Sequence, residues 1–357
     1  MTRKVFLVVA YFCSIFLLPV LVLANDFELE NKFTLYGDVE GFNGPYRQST
    51  TLLGQEFQSF FNISKGNHVS LGAGFFAADQ EQKNNQFNVN PIISFKYYTD
   101  TTQFILGNIE NQNQHGYLEP LEDTLLEFTR PIEYGLQWKE AADGFHSDWF
   151  LDWQFINVVD QPEVFDYGGV TKVDVDEHFS LEAQFHGYHE GGRIFFVLVF
   201  NNYVPAIGFR LHGPLPILGE SSLAVFGVVS CDFVGQYVTG PDWGNGLYAR
   251  VGVTPWGLCE LYAIMWNAQN FFSQEGDPNY NSQGLNPTYY QANRTYEEVG
   301  LKKLITGDKG FLFDAEIKSE WADSTWALSG KLVGTVPFDL DIPIKEKKKD
   351  GSGNANL

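Results

Sequence analysis

Asp148 to Phe155 reads DWFLDWQF, and the way its side chains divide decides the fold. Trp149, Leu151, Trp153 and Phe155 fall on one parity; Asp148, Phe150, Asp152 and Gln154 fall on the other. Successive side chains of a strand point to opposite faces, so this segment has one greasy face and one mostly wet face. At ~3.3 Å per residue the two tryptophans lie about 13 Å apart along the greasy face. Residues four apart also share a helical face, but the aromatic content favours the strand. Aromatics on one side and acids on the other suit a barrel wall that meets lipid outside and water inside.

Reading outward from that strand, a second alternating run ends at Asn108, and between the two lies a long polar insert. It holds four acids close together, Glu119, Glu122, Asp123 and Glu127. Pro120 and Pro131 keep it from forming one regular helix, while Leu121, Leu125 and Phe128 have the spacing of a short helical turn. One reading folds this insert back into the barrel, with the four acids as pore-constriction candidates. The other leaves it as an outer surface loop with no gating role.

The same rhythm recurs along the chain. In Phe33–Phe42, Phe33, Leu35 and Val39 oppose Thr34, Tyr36, Asp38 and Glu40. Comparable runs occur at 55–63, 69–77, 89–98, 103–108, 133–138, 178–189, 194–201 and 207–212, and again at 221–234, 247–254, 259–270, 290–304, 310–321, 327–335 and 338–342. Val158–Val175 reads as a long connection, Thr239–Gly246 as a loop by composition, and Phe272–Thr288 as a third polar loop. The count is about 14 strands, within a range of 12–16. The fold class is therefore all-β: a transmembrane, antiparallel, up-and-down β-barrel with long loops on one side. Parity assigns Asp38, Glu40, Asp152, Glu182, Asp314 and Glu316, with the bases Lys96, Arg210, Arg250 and Lys331, to the lumen.

Residues 1–24 stand apart. Arg3 and Lys4 precede an almost wholly apolar run to Leu23, and Ala24 supplies a small residue at a cleavage position. This is the pattern of a secretory signal peptide; an N-terminal membrane anchor is the competing reading. The barrel is expected over residues 25–344, and residues 345–357 (KEKKKDGSGNANL) as a flexible basic tail. Aromatics make up 16% of the chain, with 32 Phe and 17 Tyr, which suits lipid-facing girdles. Net charge is −21, and −23 once the two basic leader residues are gone, from 21 basic against 44 acidic residues. Such a field does not draw nucleic acid, and in a lumen it concentrates cations. Outside the leader only Cys231 and Cys259 remain, enough for one disulfide but not for a disulfide framework.

In its leader, its alternating strands and its long acidic loop in the first half, the chain resembles bacterial outer-membrane porins, although its last residue, Leu357, is not the aromatic that usually ends such barrels. That resemblance implies passive diffusion of small polar solutes, contact with outer-membrane lipid, and a barrel that is either monomeric or a homotrimer. Other chemistry finds less support. His186 and His189 would fall on opposite faces of a strand, which breaks a metal pair. Asp174, Asp176 and Glu177, and separately Asp277, Asn279 and Asn281, are oxygen-rich but read as solvated loop acids rather than calcium ligands. No hydrolase or phosphate-loop motif occurs, and no spacing selects a glycosidase carboxylate pair. The chain thus reads as a non-enzymatic, mildly cation-selective pore without a cofactor. A closed binding or structural barrel, and a secreted soluble β-protein, are the alternatives.

Overall fold

The computed structural model describes residues 26–42, 44–80, 87–192, 194, 199–233, 243–286, 288–307, 310–323, 325–338 and 340–341. The expected leader (1–24) and tail (345–357) lie outside the described residues. Among the described residues sixteen strands follow one another in chain order. The first eight are β1 (Asp26–Glu40), β2 (Thr50–Lys65), β3 (Val69–Gln80), β4 (Phe87–Tyr98), β5 (Thr102–Asn108), β6 (Tyr134–Ala142), β7 (Phe145–Phe155) and β8 (Glu163–Asp174). The rest are β9 (Phe179–Gly191), β10 (Phe200–Leu215), β11 (Gly219–Phe233), β12 (Trp243–Thr254), β13 (Glu260–Gln269), β14 (Asn293–Thr306), β15 (Leu312–Ala322) and β16 (Thr325–Pro337). Each pairs antiparallel with its sequence neighbour, and β1 closes on β16 from Lys32↔Pro337 to Val39↔Gly330. Leu340–Asp341 extends the last strand against Leu29 and Glu28.

The closed antiparallel barrel is thus confirmed, at the top of the expected range and two strands above the central count. Its outer face carries the greasy parity: Leu35, Val39, Trp149, Trp153, Phe155, Leu328 and Leu332 are exposed. On the same strands Asp38, Glu40, Asp152 and Ser329 are buried toward the axis. Large apolar side chains outside and carboxylates inside invert the ordinary protein interior, the arrangement of a wall immersed in hydrocarbon.

Connections alternate in length. Seven short turns, of two to five residues, share one rim with the start of β1 and the end of β16. The opposite rim carries the long connections, of which 109–133 and 270–292 are the longest. The shortest interval on that rim is the one between Ala322 and Thr325. Short turns and chain ends on one side are the asymmetry of outer-membrane barrels.

Four local readings are corrected. Val158–Val175 is not one long connection, because β8 occupies most of it. The pair Gly168-Gly169 reads as a loop in isolation, yet the insert packs its Tyr117 there. A Cβ on Gly168 would come within 2.7 Å of the Tyr117 hydroxyl, so the glycine marks close packing rather than a turn. Trp243–Gly246, expected in a loop, opens β12 with Trp243 facing out; the glycines on its inward parity disguise it. The strand expected over 207–212 runs on through Gly213 and Pro214 to Leu215, a place where a strand tolerates proline. The strand expected from Ile194 starts at Phe200, and residues 195–198 lie outside the described set. Cys231 lies near the long-loop end of β11 and Cys259 precedes β13 at the short-turn rim, so no disulfide joins them.

Candidate functional site: the luminal insert

The insert folds into the lumen. Its two ends meet as a neck, where the Ile109 N–H donates to the Glu133 carbonyl at 3.1 Å and the Asn108 side chain donates to the same oxygen at 3.1 Å. Gln137 on β6 clasps the first residue inside, accepting from the Glu110 N–H at 2.9 Å and donating to its carbonyl at 2.8 Å. Lys96 and Lys139 hold the Glu110 carboxylate at 2.6 and 2.9 Å. Burial alone would raise that carboxyl, but the two ammonium groups outweigh it and bring its pKa down to about 2.

A tight 3-10 turn, Gln112–Gly116, then delivers His115 to the β6–β7 wall. Its ring stacks on Phe150 with centroids 3.9 Å apart. Nε2 lies 3.0 Å from Glu133 and Nδ1 lies 3.2 Å from Asp148. Burial disfavours the cation, yet the hydrogen bonds to Asp148 and Glu133 prevail and raise the imidazole to about 10. At neutral pH His115 is therefore a buried imidazolium between two carboxylates.

Tyr117 donates to the Phe185 carbonyl at 2.7 Å, and Gln184 accepts from the Leu118 N–H at 3.0 Å. Leu118 and Leu121 join a cluster of inward side chains from β10 to β13, including Val204, Phe226, Tyr248 and Trp266. Two further loops cross above the insert. Arg47, in the β1–β2 loop, contacts Asp277 at 2.6 Å, Asp123 at 3.1 Å and Glu40 at 3.5 Å. The Asp123 N–H donates to the Glu275 carbonyl at 2.7 Å, and the Asp277 N–H donates to the Glu119 carbonyl at 2.9 Å. Arg130 reaches Asp166 at 2.7 Å, Glu275 at 3.0 Å and Asp152 at 3.9 Å. Both arginines stay charged because each sits among carboxylates that compensate its burial.

The four insert acids have separate roles. Glu119 accepts from the Tyr248 hydroxyl at 2.9 Å. Glu122 is buried, and burial together with the nearby Glu133 charge pushes its carboxyl up to about 8. Asp123 is the partner of Arg47, and Glu127 is half exposed, 3.9 Å from Lys331. They do not converge on one ring.

Every lumen candidate read from parity lies on the inner face. Lys96 holds Glu110, Asp152 faces Arg130, Arg210 forks onto Glu182 at 2.6 and 3.0 Å, and Arg250 contacts Glu260 at 2.8 Å. Lys331 and Lys302 share Asp314 at 3.3 and 3.4 Å, while Glu316 accepts from Tyr262 at 2.6 Å. Lys318 sits among Glu320, Glu298 and Glu40 at 3.3, 3.6 and 3.9 Å. Beside the insert Lys302, Lys318, Lys331, Glu40 and Glu316, with Asp38 and Glu119, line a narrow cavity of about 100 Å³. At the short-turn rim a wider vestibule of about 820 Å³ runs up to His115 and Gly116, with Lys139, His146, Lys172 and Arg210 on its wall.

Sequence reasoning missed Arg47, Arg130, His115, Glu275 and Asp166. The two arginines carried a signal, each being the one Lys or Arg in an otherwise acidic or neutral loop. Asp277, Asn279 and Asn281 are not solvated as expected. All three are buried; Asp277 accepts from the Asn279 N–H at 2.8 Å, and Asn281 accepts from the Ser273 N–H at 2.8 Å. His186 faces the lumen and His189 the outside, where it stacks on Phe165.

A family model described as lipid A 3'-O-deacylase-type matches residues 24–327. Among curated proteins, none matches the sequence. Solved structures with a similar course of the chain include Pseudomonas aeruginosa OprD, at 10% identity and a TM-score of 0.47, covering 89% of this chain and 96% of that one. Pseudomonas aeruginosa OpdO follows at 9% identity and a TM-score of 0.44, covering 89% and 98%. OccK8 (OprE) of the same organism has 10% identity and a TM-score of 0.44, covering 89% and 99%.

Proposed function

The chain belongs to the lipid A 3'-O-deacylase-type family, and from its luminal geometry we propose that it works as a narrow outer-membrane channel for small polar solutes. The carrying observation is the ionic wall. Lys302, Lys318 and Lys331 stand among Asp38, Glu40, Glu298 and Glu316 around the cavity beside the insert. Fixed charges of both signs across a constriction set up a transverse field that favours polar over apolar solutes. The acidic excess of the whole chain supports a mild preference for cations. The insert, latched by Arg47 and Arg130, sets the bore, with Glu119 and Asp123 tied to Tyr248 and Arg47 rather than forming a ring with Glu122 and Glu127. The leader is proposed to be cleaved after Ala24, delivering the barrel to the outer membrane, where a homotrimer is one assembly open to it.

Planar-bilayer recording tests this reading. The wild-type barrel should give small discrete steps with a reversal potential displaced toward cations. Arg47→Ala, which frees the loop junction, should enlarge them. A barrel silent in both forms overturns the proposal.

The family match itself favours a second reading, in which the barrel hydrolyses an acyl ester of lipid A. That reading opposes the expectation of a non-enzyme. Mass spectrometry of lipid A from vesicles incubated with the purified barrel separates the two, because hydrolysis removes one acyl chain and transport leaves the mass unchanged.

A further inference from the structure

The wall is incomplete at one place. β5 has seven residues, whereas a tilted strand needs about 9–11 to cross the hydrocarbon. Its pairing with β4 stops at Ser94↔Gly107, and its pairing with β6 stops at Asn108↔Tyr134. Beyond that level the chain turns inward as the insert. β4 nonetheless continues through Phe87–Ile93, paired on one side only, with β3. β7 continues to Phe155, paired with β8. A notch therefore opens between β4 and β7, in the half of the wall nearer the long loops.

The notch is blind. Ile132 and Tyr134 close it from within, packed against Phe60, Phe76 and Ile92. What remains outside is a groove of about 640 Å³ lined by Asn90, Pro91, Ile93, Phe95, Leu106 and Tyr134, with no charged side chain. That volume lies within the roughly 300–1,000 Å³ of small-molecule sites. Ile93 and Leu106, 51% and 50% exposed, have no protein covering them.

The edge of β4 suits an apolar occupant. A bare strand edge in hydrocarbon leaves unpaired N–H and C=O groups. On this edge β4 carries Pro91, which has no N–H, and its carbonyl accepts from the Tyr134 hydroxyl. The donor and acceptor that would penalise a lipid chain at this point are thus removed or satisfied. Gly107, in a positive-φ conformation that favours glycine, lets β5 pass close to the Ile93 carbonyl before it leaves the wall.

We propose that this notch seats one acyl chain of a bilayer lipid from the outer half of the membrane. The groove lies on the lipid side of the wall, so membrane hydrocarbon is what bathes it. Its lining reads a chain and offers nothing to a charged headgroup. The inference rests on the transmembrane placement of the barrel alone. A barrel that neither conducts nor hydrolyses would leave it intact.

Photo-crosslinking tests it. A photoreactive phenylalanine analogue is placed at Ile93, or at Ile207, which is 71% exposed on the complete wall of β10. Each protein is reconstituted in vesicles of dimyristoyl phosphatidylcholine and irradiated, and the lipid adducts are counted by mass spectrometry. Position 93 should give a several-fold higher yield than position 207. Adding Leu106→Trp, which fills the groove from the outer face, should lower the yield at 93 to that at 207. Equal yields at the two positions, or a yield at 93 that Leu106→Trp does not change, overturns the site. Ile207 controls for insertion and folding, since both proteins must run as folded barrels for their yields to be compared.

Discussion

The two sides of the lumen obey the same two-residue rhythm and are filled in opposite ways. From β10 to β13 the inward positions beside the insert include Val204, Ala206, Ala224, Phe226, Val228, Ile264 and Trp266, and Leu118 and Leu121 lie against them, with Arg210 and Arg250 facing inward nearer the short-turn rim. From β14 through β16 to β1 the inward positions include Glu298, Lys302, Glu316, Lys318, Lys331, Asp38 and Glu40, and the residual cavity runs beside them. The first side excludes water because apolar surface meets apolar surface. The second holds side chains that water and ions can solvate, tied by lysines into pairs whose strength depends on local dielectric. Parity distinguishes the outside of a barrel from its inside. Whether the inside is packed or wet depends on the partner that each face meets.

If the insert is held by its packed face and by Arg130 against β7 and β8, and only leans on the ionic side, substitutions should differ sharply in effect. The largest is expected at Arg130. Removing it as Arg130→Ala leaves Asp166 and Asp152 without their cation in a site where both are almost fully buried. Breaking such a buried pair costs about 3–5 kcal/mol. Urea unfolding in vesicles should show a loss of that order, together with enlarged conductance steps. A barrel unchanged in both would mean that the clamp lies elsewhere.

Next in size is the apolar half of the clamp. Leu121 has no exposed surface, and truncating a buried leucine to alanine costs about 2–5 kcal/mol. Leu121→Ala should therefore loosen the insert against β10–β13 while leaving ion selectivity unaltered. The opposite pattern, a selectivity change at constant stability, would place Leu121 in the solute path and erase the contrast between the sides.

The electrostatic latch has a pH signature. Against its burial, the hydrogen bonds to Asp148 and Glu133 hold the His115 imidazole up at about 10 in the folded barrel, from an ordinary 6.5. A base with a raised folded pKa contributes its full stabilisation below the unfolded value and loses it as pH climbs through the folded one. Glu122 acts in the same direction, since a carboxyl whose pKa is raised to about 8 is increasingly penalised as pH rises from its ordinary 4.5. Protease cleavage within 109–133 should thus be slow in mildly acidic buffer and accelerate as the medium turns alkaline. His115→Gln should remove the part of that response above pH 8. Cleavage that is flat across this range would show that the imidazolium does not hold the insert.

These expectations also mark what was legible beforehand. The lipid face could be read from Trp149, Leu151, Trp153 and Phe155 because alternation is a local property, and the same rule placed all ten lumen candidates on the inner side. Partners were not legible. Asp123 finds Arg47 across 76 residues, and Arg130 finds Glu275 across 145. Such pairings exist only once sixteen strands have closed and three loops have turned inward. β8 escaped because Gly168 is shaped by Tyr117, a residue 51 positions earlier, and not by its own neighbours. The four insert acids drew notice for their charge, but it is the cations among them that decide where they go.

The smallest effect should fall where the insert touches the wet side. Glu127 is 45% exposed at its side chain, and its contact with Lys331 is long, at 3.9 Å. Exposed pairs of this kind are worth about 0–1 kcal/mol and weaken with salt. Lys331 also keeps its closer partner Asp314 at 3.3 Å. Glu127→Ala should therefore leave unfolding almost unmoved, while one fewer negative charge at the cavity lowers cation preference slightly in low-salt recordings. A destabilisation as large as that of Arg130→Ala would show that the insert is gripped equally from both sides, and that the wet wall is as much a part of the plug as the packed one.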